Sequence, residues 1–322
     1  MDMKPTMRLA VFSVLLAGGP ILSTLAAEQL SLDPTSLTTE WSVSYQGRKV
    51  LVYAFAPGKF KPYVKALATI KGDNILRDAP FDHLHHHALM YGIRVNGLNF
   101  WEETSGCGIQ KPVQTAKPEL GANAQGAPTA TLQQTIHWLA PADAWLPDTT
   151  KAALLIEQRT LTLTVNEARQ EVALLWRSAF EVGTRTNQVT LTGANYHGLG
   201  MRFLQELDTY AAHLNSTGAP DLSGGKQDVS QAKWGSIFFK RPNNPVTVVL
   251  MGSPGNVRGD AWFFTMRQAF PYLAATQHLD QEPLVYRAGD KFAVDYLVAV
   301  YPEIKSAQAL QQRSEQWAQQ SQ

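Results

Sequence analysis

The sequence predicts an all-β sandwich, and three observations carry that prediction. Short runs with apolar and polar residues in alternation recur along the chain, each bounded by Gly, Pro, Asn or Asp. Strand and helix patterns do not alternate, which argues against a parallel βαβ sheet. One helix is convincing, and it lies at the C-terminal end. Leu161, Leu163 and Val165 interleave with Thr160, Thr162 and Thr164, the signature of a strand with one buried and one wet face.

In chain order, residues 1–27 have the form of a secretory signal: Lys4 and Arg8, then an apolar run broken by Gly18-Gly19-Pro20, then Ala26-Ala27. Residues 28–322 then form one domain, expected to be periplasmic or secreted, with no membrane association after signal cleavage. Trp41, Val43 and Tyr45 alternate, Gln46-Gly47 turns, and Val50 to Phe55 returns as a hairpin partner. Tyr63 to Ile70 reads as a strand. Residues 106–128 are rich in Gly, Pro, Ala and Gln without a period and predict a long surface loop. Strands are expected at 131–139, 154–165, 172–182, 188–192, 234–239, 246–251, 262–266 and 284–287. The clearest follows Ala288-Gly289-Asp290, where Phe292, Val294, Tyr296, Val298 and Val300 alternate. Ser306 is placed to cap a helix over 307–320, with Ala307, Leu310 and Trp317 on one face.

Composition narrows the function. Lys plus Arg number 28 against 27 Asp plus Glu, so no basic field favours nucleic acid. One cysteine, Cys107, excludes an internal disulfide framework and a cysteine-based zinc site. Ten tyrosines and eight tryptophans supply material for a polar aromatic cleft.

Chemistry concentrates between Phe81 and Glu103, where His83, His85, His86 and His87 make up half of the chain's eight histidines. Asn96-Gly97 predicts a two-residue turn of type I′, because both central residues tolerate positive φ. It pairs Val95 with Leu98 and, continued outward, Ile93 with Phe100, Tyr91 with Glu102 and Met90 with Glu103. On an extended strand His83, His85 and His87 would then share a face with Tyr91 and Glu102, while His86 would lie on the other with Arg94, Trp101 and Glu103. That register keeps Glu102 roughly 13 Å from His87 at about 3.3 Å per residue, so no local metal triad forms there. A metal would need a third ligand from elsewhere, such as His197, Glu206 or His278. Neutral imidazoles near working pH otherwise suit acid–base work or hydroxyl recognition.

A second constellation runs from Asn195 through Gly198-Leu199-Gly200 to Arg202, then Glu206 and Asp208. The glycines permit close approach. Arg202 suits a carboxylate or a pair of sugar hydroxyls, and Glu206 is a candidate base. Trp262 between Arg258 and Arg267 is a weaker candidate for a sugar-stacking rim. No serine sits in a nucleophile elbow.

These segments, in this order, resemble a soluble bacterial family labelled "methane oxygenase PmoA": Lys61 to Val64, Asp82 to Leu89, Val95 to Trp101, Gly198 to Phe203 and Trp262 to Arg267. Its strand pattern is similar to that of galactose-mutarotase-like supersandwiches, which bind or transform carbohydrates with a histidine acid and a carboxylate base. The resemblance implies a β-supersandwich with a short C-terminal helix. By position, His85 and His86 match the family's histidine pair and Arg202 matches its Gly-Leu-Gly-x-Arg arginine. Leu84, His87-Ala88 and Asn99 depart from the family pattern. The expectation is an exported carbohydrate-processing protein with His85, His86 and Glu206 as catalytic groups. Arg202, Trp101, Arg94, Tyr91 and His87 would bind a carbohydrate or other small polar substrate, with no cofactor or metal. Alternatives are a non-catalytic carbohydrate-binding protein and a metal-dependent oxygenase.

Overall fold

A computed structural model describes residues 29–33 and 38–320. The secretory signal expected over 1–27 lies outside the described residues. Among them, antiparallel strands build two nine-stranded sheets and a four-stranded one, so the all-β expectation holds. The first sheet runs, edge to edge, Leu30–Leu32, Glu40–Tyr45, Arg48–Ala54, Tyr63–Leu67, Leu89–Gly92, Gly198–Arg202, Tyr272–Thr276, Trp262–Met266 and Gln227–Gln231. The second is built around the long strands Pro128–Leu139, Leu155–Asn166, Glu171–Val182 and Lys291–Tyr301.

Period-two alternation turns one face of each sheet inward. Leu89, Tyr91, Leu199, Met201 and Leu273 of the first sheet join Leu132, Leu161, Leu163, Leu174 and Val298 of the second in one buried core. The outer face of the second sheet is covered by helix α1, Ala307–Gln320, through Leu310 and Trp317 against Trp234, Val249 and Leu297. Ser306 Oγ accepts the Ala309 N–H at 3.2 Å, the cap read from the sequence. No described helix is long and apolar enough to cross a membrane.

Two expectations fail. Residues 106–128 are not a structureless loop: Ile109–Thr115 and Glu119–Ala122 both pair with Pro128–Leu139. Both are edge strands with little fully buried surface, and one carries Pro112, so neither needs the apolar alternation that marks a covered strand. The Asn96-Gly97 turn forms, with φ of 51° and 79° and the pairs Val95–Leu98 and Arg94–Asn99. Beyond the Phe100 N–H donated to Ile93 O, however, the hairpin does not continue. Leu89–Gly92 pairs instead with Gly198–Arg202, and this sheet pairing wins over the local register. Tyr91 never meets Glu102, nor Met90 Glu103.

Candidate functional site

The outer face of the first sheet carries the site. Met90, Gly200, Ala274 and Phe264 lie in one cross-strand row. Arg202 and Tyr272 are direct partners in the adjoining outward row. The small residues leave a floor. A Cβ added to Gly200 would fall 2.1 Å from Tyr272 Oη and 2.8 Å from Trp101 Cη2, so glycine is what lets both rings lie over the sheet. Tyr63, Met90, Trp101, Phe264, Phe270 and Tyr272 form the aromatic cluster on that floor.

The histidines arrive on a turn rather than on a strand. The His83 N–H bonds Pro80 O and the His86 N–H bonds His83 O, each at 2.9 Å. Asp78 and His87 form an isolated bridge at the base of this turn. Folding back brings His83, His85 and His86 together: His83 stacks on His86 at 4.6 Å, and the His85 ring meets His86 edge-on at 4.6 Å. The predicted division by face is therefore wrong. His86 lies with His83 and His85, and His87 alone points elsewhere.

Those three rings line a cleft of about 280 Å³ whose other walls include Glu102, Tyr196, Gln227, Phe264, Phe270 and Tyr272. Burial, reinforced by the neighbouring imidazoles, lowers the pKa of His86 to about 3. Burial also lowers that of His85, with the Lys61 charge adding to it. Both are neutral at working pH. Tyr272 is buried, and burial raises its hydroxyl pKa. Neither Tyr272 Oη nor His86 Nδ1 has a hydrogen-bond partner within the protein.

Arg202 is 3% exposed and stands behind Phe270, its guanidinium 3.1 Å from that ring's centroid. Its Nη2 donates to Asp82 Oδ2 at 3.0 Å, while Nε and Nη1 have no partner. Trp101 is fully buried and stacks on His197 at 5.1 Å. Burial lowers the His197 pKa to about 3.

Four of the residues singled out in the sequence lie elsewhere. Glu206 is exposed on the 3-10 turn Gln205–Tyr210 and is absent from the cleft lining. Tyr91 points into the interior, its hydroxyl donating to Gln277 Oε1 at 3.2 Å. Arg94 is exposed on the Asn96-Gly97 hairpin. His87 is enclosed between Asp78 and Glu103, with Nδ1 2.7 Å from Asp78 Oδ1 and Nε2 3.0 Å from Glu103 Oε2. Both its nitrogens are thus occupied. No group of three or more His, Cys, Asp or Glu among the described residues is placed to hold a metal ion.

Sequence reasoning missed Glu102 as a cleft carboxylate, since the predicted register set it beside Tyr91. It also missed Phe270 and Tyr272, although they follow directly on the Trp262–Arg267 segment. Aromatic residues flanking a proline at 271 were the available signal.

Residues 40–315 match the family described as "Family of unknown function (DUF6807)", and the chain belongs to that family. No curated protein matches. Among solved structures, the chain is similar to the GH36 alpha-galactosidase AgaB from Geobacillus stearothermophilus, with 11% identity and a TM-score of 0.49 over 85% of this chain and 41% of that one. The alpha-galactosidase from Lactobacillus brevis matches at 7% identity and a TM-score of 0.43, over 85% of this chain and 39% of that one. Slr1438 from Synechocystis sp. PCC 6803 matches at 9% identity and 0.36, over 85% and 96% of the two chains. This chain therefore spans about two-fifths of the alpha-galactosidases. None of these matches carries the methane oxygenase label that the sequence motifs suggested.

Proposed function

We propose that the protein is an exported carbohydrate-processing protein and that the cleft beside the histidine turn takes a sugar or a similarly polar small molecule. The observation that carries this reading is that two residues lining an aromatic-walled cleft each hold a buried polar atom without a protein partner, His86 Nδ1 and Tyr272 Oη. Buried polar groups are ordinarily paired, and each orphan costs about 1–3 kcal/mol. Aromatic walls suit the apolar face of a sugar ring, and the orphaned groups suit its hydroxyls.

The chemistry assigned to the cleft follows from protonation states. With its pKa near 3, His86 is a neutral imidazole at neutral pH, so it offers one hydrogen-bond donor and one acceptor rather than serving as the general acid. Glu102 replaces Glu206 as the carboxylate of the site, since it lines the same cleft. Arg202 steadies Phe270 and Asp82 at the back. The neutral state of His86 also favours a second reading, binding without turnover.

One experiment separates these readings. The purified protein is titrated calorimetrically with a panel of methyl glycosides and oligosaccharides, and each mixture is assayed for new reducing ends or altered anomers. Binding with product that His86→Ala abolishes supports catalysis. Binding weakened by His86→Ala without product supports the binding protein. No heat and no product across the panel overturns the carbohydrate reading.

A further inference from the structure

His87 lies outside the cleft, yet its surroundings are the most fully connected ionic cluster on this face. The Lys61 ammonium bonds Glu103 Oε1 at 2.7 Å, and Lys61 is 2% exposed. The Tyr63 hydroxyl donates to Asp78 Oδ2 at 2.9 Å, and the Tyr63 ring stacks on His87 at 4.2 Å. With a carboxylate oxygen against each ring nitrogen, both nitrogens must donate. A neutral imidazole would set a lone pair against one ionised carboxylate, so two carboxylates at these distances favour the imidazolium. Two cations and two carboxylates then balance.

What the cluster joins gives it a role. Asp78 and His87 are the two ends of the turn that carries Asp82, His83, His85 and His86. The ends are also tied by the Ala79 N–H donated to His86 O at 3.0 Å. Glu103 adjoins Glu102, which lines the same cleft as the histidines. The His87 ring therefore links the histidine turn to the segment that carries Glu102.

We propose that His87 is a positioning residue, a protonated pin that holds residues 79–86 against the Glu102–Glu103 segment, so that the cleft stays assembled only while the imidazolium persists. The inference concerns the same cleft as the carbohydrate reading, but it is read from the order of the turn without any ligand. Either can fail alone.

The facing groups decide the direction of the pH response. Burial opposes charge on His87, but its bonds to Asp78 and Glu103 outweigh burial and raise its pKa. Burial likewise opposes the Glu103 charge, yet His87 and Lys61 hold that carboxyl below its ordinary value. A raised histidine pKa supplies stabilisation that is complete below about 6.5 and lost as pH rises through the folded value. His85 and His86 are shifted down and titrate on the acid side. Tyr63 is shifted up, burial first and then Asp78. Lys61 is lowered by burial, so it is the other group able to release the turn at alkaline pH.

The test uses the intact chain. Histidine ring NMR across pH 5–10 identifies the His87 titration, while amide exchange, corrected for its intrinsic pH dependence, reports protection of residues 79–86. The expected result is a roughly tenfold to hundredfold loss of protection, the worth of one charged hydrogen bond, in step with the His87 titration. Strand Glu171–Val182 should be unaffected. His87→Gln should show the loosened turn already at pH 6 with no further alkaline step. Lys61→Met should keep a step that tracks His87. Protection of the turn that stays flat through the His87 titration, or a His87 ring neutral at pH 6, overturns the proposal. If His87→Gln does not fold, the wild-type titration decides alone.

Discussion

Two buried arginines, each lying over an aromatic ring, show how the interior and the outer face of the first sheet differ. Arg159 is 1% exposed and has every donor nitrogen engaged. Nε and Nη2 grip Glu157 at 2.7 and 2.9 Å, Nη2 also reaches Gln110, and Nη1 donates to Tyr53 Oη and Pro62 O. Its ring partner is Trp176, at 4.5 Å. Glu157 in turn accepts from Trp138 Nε1 and Ser178 Oγ. Arg202, 3% exposed, keeps one partner, Asp82, with two nitrogens unsatisfied. Around Arg159 the polar groups are closed against one another. Beside the cleft several are left open, with Tyr272 Oη and His86 Nδ1 in the same condition as Arg202. An open group destabilises the apo fold, and a ligand that completes it recovers that cost on binding.

The largest effect expected from breaking this contrast is on the closed side. Arg159→Met should cost about 3–5 kcal/mol, because it strands the Glu157 carboxylate where no water reaches it. Urea denaturation measures the loss directly. Arg202→Met removes two unsatisfied donors along with its one ion pair, so it should cost no more than about 1 kcal/mol. It should nevertheless weaken ligand binding by up to about tenfold, the worth of a cation–π contact, because its guanidinium backs Phe270 of the cleft wall. If the two variants proved equally destabilising, the distinction between closed and open arginines would fail.

Acidification should sharpen the difference next. In the folded protein His86 and His197 have pKa values near 3, against about 6.5 unfolded. Neutral rings are thus favoured by folding. Their contribution is complete above pH 6.5 and is lost as pH falls from 6.5 toward 3. The expected slope is up to about 1.4 kcal/mol per pH unit for each fully titrating ring. His86→Gln should make the acid limb of the stability profile shallower by about one ring's worth. A limb with the wild-type slope would mean that His86 is not held neutral.

Much of this was legible in the sequence, for reasons that particular residues make plain. Gln188–Thr192, Trp234–Phe239, Trp262–Met266, Leu284–Arg287 and helix Ala307–Gln320 end where the sequence pattern ends, because turn and capping residues bound each apolar run. The site was legible as a neighbourhood and not as an arrangement. Four histidines in close succession marked the place. Extending the Asn96-Gly97 register back through them misassigned their faces, since a turn obeys no period of two. Ala79 and Ala88, with φ of 42° and 49°, bracket that turn, and alanine gives no sequence signal for positive φ. Tyr272 becomes a partner of Arg202 only through a long-range strand pairing, which local pattern cannot register. Glu206 follows Arg202 closely in sequence, yet the 3-10 turn Gln205–Tyr210 leaves it exposed.

The smallest change discriminates best. Tyr272→Phe deletes one hydroxyl that is buried and unpaired, so the folded protein loses a desolvated group and no hydrogen bond. Stability should stay level or rise by up to about 1 kcal/mol, the reverse of what loss of a buried structural tyrosine hydroxyl brings. The interior control is Tyr53→Phe, which removes a hydroxyl that donates to Gln134 and accepts from Arg159. It should cost about 1–3 kcal/mol. Ligand affinity should respond in the opposite order, falling roughly tenfold in Tyr272→Phe and holding in Tyr53→Phe. Gly200→Ala adds a packing check, since its Cβ would press on Tyr272 Oη. Introduced alone it should destabilise by about 1–3 kcal/mol, and part of that should be relieved in the Tyr272→Phe background, a coupling a double-mutant cycle reads. If Tyr272→Phe instead cost as much as Tyr53→Phe, the hydroxyl would have a structural partner, and the cleft would lose the open group on which its reading as a binding site depends.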